Sequence, residues 1–254
     1  MSSEPSNTAI ILIPGSFSPP SFFHKIVPLL SSRGYLPLPT ALQSAGSRPQ
    51  GPATFADDVA YIKSTIQKLV DEGKDVVLAM NSYGGFPGTE ATQSLSKKER
   101  QSQGLKGGVI ALVYLASFLP GVGESLRENM GDDLPDSIKN AGDYMTMNYE
   151  EDWKNIFNDL PEEQARYYMN QMPVHSTVSL SGKFSYPGYL YIPTTYFLTE
   201  KDKIISPENQ EAMVEKVRGL GGEVRVVRSK AGHVPMLSAP EEVVEVIVGA
   251  AKGQ

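Results

Sequence analysis

Residues 75–85 read Asp75-Val-Val-Leu-Ala-Met-Asn-Ser-Tyr-Gly-Gly85, an apolar run that leads into Ser82 and leaves through two glycines. A serine at a tight strand-to-helix turn stands at the edge of a sheet, and small residues behind it let the helix pack close to the strand. The stretch has the shape of a nucleophile elbow. The G-x-S-x-G pattern wants glycine two places before the serine, and Met80 stands there; the second glycine is present as Gly84, with Gly85 behind it. Taken alone, Ser82 reads equally well as a plain helix N-cap, so the surrounding chain has to decide.

Outward from this stretch, apolar runs of strand length alternate with amphipathic helical segments, which predicts an α/β fold with a mostly parallel, doubly wound sheet. Ala9 to Ile13 reads as a buried strand stopped by Pro14-Gly15, Ser21 to Ser32 as a helix and Tyr35 to Pro39 as a short strand. Thr54 has the place of an N-cap for a helix to about Glu72, with Phe55, Val59, Ile62, Ile66 and Leu69 at helical spacing. The elbow strand, a helix from Ser82 to Leu95 and a strand from Val109 to Ala116 follow. Further on, Tyr191 to Leu198 and Glu223 to Val227 read as strands, Ser206-Pro207 opens a helix and Pro240 to Ala251 closes the pattern as another.

Residues 121–190 break the alternation. They hold five of the nine methionines, six of the twelve tyrosines and the single tryptophan, and their net charge is −7 against +1 for the rest. Placed between two core strands, such a block predicts a helical lid over an adaptable apolar pocket, inserted after the strand that ends near Phe118. The expected organisation is one domain over 1–254, with a core of 1–120 and 190–254 and a lid of 121–189.

Composition narrows the partners. A chain of 254 residues that is 40% hydrophobic buries one substantial core, and the absence of cysteine excludes disulfides, thiolate nucleophiles and Cys-ligated zinc. A net charge of −6 argues against nucleic acid, which needs clustered Lys and Arg. The run Lys97, Lys98, Arg100, interrupted by Glu99, reads as a solvated loop. Met1 to Thr8 is polar without a basic start, and Ala9 to Ile13 is too short for a signal-peptide core, so a cytoplasmic protein without a membrane span is expected. The expected partner is a small-molecule substrate; a homodimer is left open.

Two further residues fall where an elbow serine needs them. Asp202 follows the strand Tyr191 to Leu198, and His233 follows the strand Glu223 to Val227. In a parallel sheet the carboxyl ends of the strands share one edge, so three loops distant in sequence converge there. A serine hydroxyl is a weak nucleophile until a histidine takes its proton, and the histidine needs an acid to orient it and stabilise its charged form. Glu200 and Glu124 compete for the acid role; His24 reads as structural, and His175 either caps a turn or touches substrate. Donors to a developing oxyanion are expected from the peptide N–H of Tyr83 and, in the loop Pro14-Gly15-Ser16-Phe17, from that of Ser16 first and Phe17 next. Phe17, Asn81, Trp153 and His175 are candidates for the substrate pocket, and neither a metal nor an organic cofactor is implied.

Ile-Leu-Ile-Pro-Gly-Ser-Phe near the start, Lys25-Ile-Val-Pro-Leu-Leu, Asn-Ser-Tyr-Gly-Gly at the elbow and Gly-His-Val-Pro-Met-Leu-Ser-Ala-Pro-Glu-Glu near the end together resemble a small α/β-hydrolase. The resemblance is to the branch of plant methylesterases and hydroxynitrile lyases and its fungal relatives, and it covers nearly the whole chain, most weakly in the lid. It implies Ser82, Asp202 and His233 as a catalytic triad, with Ser16 and Tyr83 as oxyanion donors. The family often has His-Gly where Pro14-Gly15 stands and Gly-His where Met80-Asn81 stands. Gly15 also occupies the place of the threonine found in hydroxynitrile lyases, which favours hydrolysis. The resulting expectation is a serine hydrolase of a small, fairly apolar ester or lactone. A cofactor-free lyase or cyclase, a carbon–carbon hydrolase of secondary metabolism, and a non-catalytic binding protein on the same scaffold are its alternatives.

Overall fold

The computed structural model of the protein describes residues 7–130, 138–140 and 142–254. The polar start Met1 to Thr8 and the stretch 131–141 of the expected lid fall wholly or partly outside the described residues.

In chain order the strands are β1 (Thr8–Ile13), β2 (Leu36–Pro39), β3 (Asp75–Ser82), β4 (Gly108–Ser117), β5 (Ile138–Asn140), β6 (Tyr144–Met147), β7 (His175–Ser176), β8 (Thr194–Thr199) and β9 (Val224–Ser229). The helices are α1 (Ile26–Ser32), α2 (Phe55–Asp71), α3 (Gly85–Glu90), α4 (Lys97–Ser102), α5 (Leu126–Asn129), α6 (Trp153–Ile156), α7 (Glu162–Met169), α8 (Pro207–Gly219), α9 (Pro235–Ser238) and α10 (Pro240–Ala251). Six strands form one sheet in the order β2-β1-β3-β4-β8-β9, with every neighbouring pair parallel. Because helices cover both faces, the central strands are apolar along their length rather than alternating: Ala9 to Ile13 and Val76 to Met80 are all inaccessible to solvent.

The helices form where capping and patterning agree. Thr54 caps α2 by accepting from the Asp57 N–H while the Asp57 carboxylate accepts from the Thr54 N–H, a reciprocal capping box. Phe55, Ile62, Ile66 and Leu69 of α2 are buried. Asp58 is buried on the same helix, with its carboxylate accepting from the Ser44 N–H at 3.0 Å, the Ser44 hydroxyl at 2.6 Å and the Tyr83 hydroxyl at 3.1 Å.

Several expected boundaries shift for local reasons. The helix expected over Ser21 to Ser32 is a 3₁₀ turn, Pro20–Phe23, followed by α1. Pro28 falls in the first turn of α1, where its missing N–H is harmless; in an unbroken helix it would clash with the preceding turn. The helix after the elbow stops at Glu90 rather than Leu95, ahead of Ser94 in the left-handed region at φ 66°. Pro193 delays β8 to Thr194. Lys97, Lys98 and Arg100 are not on a solvated loop. Ser96 caps α4, and Arg100 is buried, donating to the carbonyls of Gly107 and Val70 and pairing with Asp71 at 2.8 Å.

The segment between β4 and β8 is not purely helical. Beside α5, α6 and α7 it contains a second, antiparallel sheet in the order β5-β6-β7. In β6 the inward Met145 and Met147 alternate with half-exposed Tyr144 and Thr146, a period-two pattern four residues long. No helix among the described residues is long and apolar enough to cross a membrane.

Candidate active site

The elbow forms at the carboxyl end of β3. Ser82 sits at φ 51°, a left-handed conformation that costs a non-glycine residue on the order of 1–3 kcal/mol and persists only where surrounding structure enforces it. The enforcement is visible. The Ser82 carbonyl accepts from the Ser117 hydroxyl at 2.7 Å and the Phe118 N–H at 3.2 Å. The pairing of β3 with β4 skips Ala116, so that Asn81 faces Leu115 while Ser82 faces Ser117, a bulge beside the turn. A Cβ on Gly85 would strike the Phe118 carbonyl and the Ser117 hydroxyl, and one on Gly15 would lie 2.7 Å from Ser82 Cβ.

Met80, in place of the missing glycine, is fully buried. A Cβ on Gly88 of α3 would lie 2.5 Å from Met80 Sδ and 2.9 Å from Ile13 Cδ1. The space for the larger strand residue is therefore supplied by a glycine on the helix above it.

The loops after β8 and β9 bring the other two groups to Ser82. His233 Nε2 lies 3.0 Å from Ser82 Oγ, and His233 Nδ1 lies 2.8 Å from Asp202 Oδ2. Asp202 Oδ1 accepts from the N–H groups of Ile204 at 2.7 Å and Ile205 at 2.9 Å, which fixes the carboxylate in its turn. As that carboxylate accepts from Nδ1–H, the Nε2 lone pair faces the serine hydroxyl. Asn81 points neither to solvent nor only to the cavity: its Nδ2 donates to the carbonyls of Leu115 at 2.8 Å and His233 at 3.0 Å. On its other side the histidine loop meets the inserted segment, where Asp159 accepts from the Gly232 N–H and Asn158 donates to the Lys201 carbonyl at 2.9 Å.

The competing acids lie elsewhere. Glu200 is exposed, 3.8 Å from Arg228, and Glu124 pairs with Lys216 while accepting from the Gly121 N–H. His24 is exposed at the end of the first 3₁₀ turn, bonded to the Ser21 carbonyl.

Of the three candidate oxyanion donors, the Phe17 N–H is taken: it donates to His175 Nδ1 at 3.4 Å. The N–H groups of Ser16 and Tyr83 make no hydrogen bond among the described residues. Phe17 itself is in the left-handed region at φ 59°.

Ser82, Asn81 and His233 open into a cavity of about 280 Å³. Core residues Phe17 and Phe118 form one side, and the inserted segment supplies Met130, Met147, Ile156, Met172 and Leu180. Three of the five methionines of that segment thus face the cavity, whereas Met145 and Met169 are packed in the core. The only charged lining residue among those described, besides the titratable His233, is Lys203. Trp153 and His175 do not line the cavity. The Trp153 ring lies beneath the Arg166 guanidinium, 4.6 Å away, and its indole N–H donates to the Glu150 carbonyl. His175 is buried behind the Phe17 wall, and burial pushes its pKa down to about 3. The place of Lys203 on the cavity wall had no signal in the sequence beyond its position after Asp202. A wider groove of about 860 Å³ opens at the opposite end of β8 and β9, beside Thr194 and Val224, away from Ser82.

Residues 10–246 match the alpha/beta hydrolase family. The chain is 32% identical over 241 residues to the protein named Probable hydrolase R7 of Phoma sp., covering 94% of this chain and 96% of that protein. It is 29% identical over 246 residues to Alpha/beta hydrolase nvfD of Aspergillus novofumigatus, covering 96% of each. Among solved structures, polyneuridine aldehyde esterase superposes with a TM-score of 0.76 at 20% identity, over 96% of this chain and 99% of that one. With a parallel sheet that presents Ser82, Asp202 and His233 on adjoining loops, and a family match spanning nearly all of its length, the chain belongs to the alpha/beta hydrolase family of enzymes.

Proposed function

We propose that the protein is a serine hydrolase that cleaves a small, fairly apolar carboxylic ester or lactone through an acyl-enzyme. The observation that carries this reading is the pair of contacts joining Ser82, His233 and Asp202 at 3.0 and 2.8 Å, at the floor of an apolar cavity and beside two unbonded peptide N–H groups. Ser82 Oγ attacks the substrate carbonyl as His233 Nε2 takes its proton, and Asp202 stabilises the imidazolium. The N–H groups of Ser16 and Tyr83 stabilise the oxyanion. His233 then returns the proton to the leaving alcohol, and water, deprotonated by the same nitrogen, releases the acid. The inserted segment serves as the lid that keeps bulk water from the acyl-enzyme. A cavity near 280 Å³ and its Met, Ile and Leu walls support a compact apolar acyl or alcohol group.

A lyase or cyclase is the alternative that the unusual Met80-Asn81 pair and the Met- and Tyr-rich inserted segment suggest. The packing of Met80 against Gly88 and the bond of Asn81 to the His233 carbonyl give that pair a structural role and so support the hydrolase reading over it. A fluorophosphonate probe tests the proposal. Labelling and p-nitrophenyl butyrate turnover that vanish in Ser82→Ala are expected; labelling or turnover that survives the substitution overturns it.

A further inference from the structure

His175 lies outside the cavity yet touches both loops that carry the unbonded N–H groups. Its ring centroid is 5.1 Å from that of Phe17 and 5.4 Å from that of Tyr83, the latter edge-on at 82°. Its hydrogen bonds fix its tautomer. Nδ1 accepts the Phe17 N–H, so the ring proton sits on Nε2, which donates to Ser179 Oγ at 3.1 Å; the Ser179 hydroxyl in turn donates to the Ser176 carbonyl at 2.8 Å. With no exposure to solvent and a depressed pKa, the ring stays neutral and its Nδ1 stays an acceptor.

The bond to Phe17 acts on the loop below. The Phe17 N–H belongs to the peptide that joins it to Ser16, so holding that peptide in one plane restricts the rotation of Ser16 and sustains the left-handed Phe17 at φ 59°. It also removes the Phe17 N–H from competition for an oxyanion. On the backbone side, His175 pairs with Met145 of β6, the strand whose Met147 lines the cavity. Tyr83 adjoins the same network, since its hydroxyl lies 3.5 Å from the Ser179 carbonyl while it donates to Asp58 at 3.1 Å.

We propose that His175 is a positioning residue of the oxyanion site: by taking the Phe17 N–H and packing against Tyr83, it presents the N–H groups of Ser16 and Tyr83 to the reacting carbonyl. The inference rests on the serine-hydrolase reading above. Donors that act on charge present only in the transition state affect kcat rather than KM.

The test is steady-state hydrolysis of p-nitrophenyl butyrate, together with binding of phenylboronic acid as a tetrahedral analogue, by the full chain and three variants. His175→Leu fills the volume without an acceptor, His175→Asn returns an amide oxygen near the place of Nδ1, and Ser179→Ala removes the group that fixes the tautomer. His175→Leu is expected to lower kcat about 10- to 100-fold with KM within about twofold, and to weaken phenylboronic acid in parallel. His175→Asn should restore most of the loss, and Ser179→Ala should lower kcat by about threefold or more at unchanged KM. Wild-type kcat in a folded His175→Leu, or an equal loss in the Leu and Asn variants, overturns the proposal. If the Leu variant does not fold, Ser179→Ala decides, and an unchanged kcat overturns it. Turnover that persists in Ser82→Ala sinks the serine-hydrolase reading itself, a result independent of His175.

Discussion

The amide of Asn81 joins two carbonyls that belong to different parts of the fold, Leu115 on β4 and His233 on the loop after β9, with Nδ2 at 2.8 and 3.0 Å from them. The residue before the serine therefore holds the backbone of the histidine. Asn81→Ala leaves both buried carbonyls without this donor and is expected to destabilise the fold by about 1–3 kcal/mol. It should also lower kcat by about tenfold, because the backbone that carries the His233 ring loses a support. Urea denaturation and ester turnover on the same preparation check both, and a variant of wild-type stability and rate refutes the link.

Stability should depend on pH through His175. Burial lowers its pKa from 6.5 to about 3, so between those values the unfolded chain binds a proton that the folded chain refuses. Its contribution is complete above about pH 6.5 and is lost as the pH falls toward 3, at no more than about 1.4 kcal/mol per unit. Asp58 works in the opposite sense: burial raises its pKa, so the folded state keeps a proton that the unfolded state releases just above pH 3.8. His175→Asn should flatten the decline between pH 6.5 and 4.5 in a urea series, and an unaltered decline would be the contrary result.

Met80 and Gly88 should be energetically coupled. Gly88→Ala pushes a methyl group toward Met80 Sδ and Ile13 Cδ1 in a fully buried contact, an overpacking expected to cost about 1–3 kcal/mol. Trimming the strand side with Met80→Ala in the same chain should recover part of that cost. A double-mutant cycle reads the coupling, and additive effects within about 0.5 kcal/mol would show that the two do not share the space.

Lys203 is the one lysine among the described lining residues, which include no arginine or carboxylate; it is exposed, and the walls are otherwise mostly apolar. Esters carrying a carboxylate remote from the scissile bond should be favoured over neutral ones of equal size. Lys203→Glu should reverse the preference in kcat/KM, with the neutral ester affected by less than about threefold. An unchanged ratio between the two esters would show that the lysine faces solvent alone.

The sequence was most legible where one force dominates. Apolar runs of strand length gave the six-stranded sheet, and the position of Asp202 and His233 after two of those strands brought them to Ser82 once the sheet proved parallel. Capping chemistry located α2 at Thr54. The inserted segment was less legible, because β5 and β7 are three and two residues long and leave no measurable periodicity. Side-chain direction was hidden for a similar reason. Trp153 and His175 belong to residue types at home in pockets, yet Trp153 lies under an arginine and His175 behind Phe17, where only tertiary packing sends them. Arg100 was misplaced because its partners, Val70, Asp71 and Gly107, come from two other parts of the chain.

The histidine loop is gripped from two directions, by Asn81 from within the sheet and by Asp159 from the inserted segment, and the neighbouring Asn158 reaches the Lys201 carbonyl beside Asp202. The cover over the cavity is thus fastened at the very loops that hold His233 and Asp202. A shift of the cover on that side therefore pulls on the backbone that carries His233 and Asp202, so the inserted segment and the geometry around Ser82 are mechanically coupled.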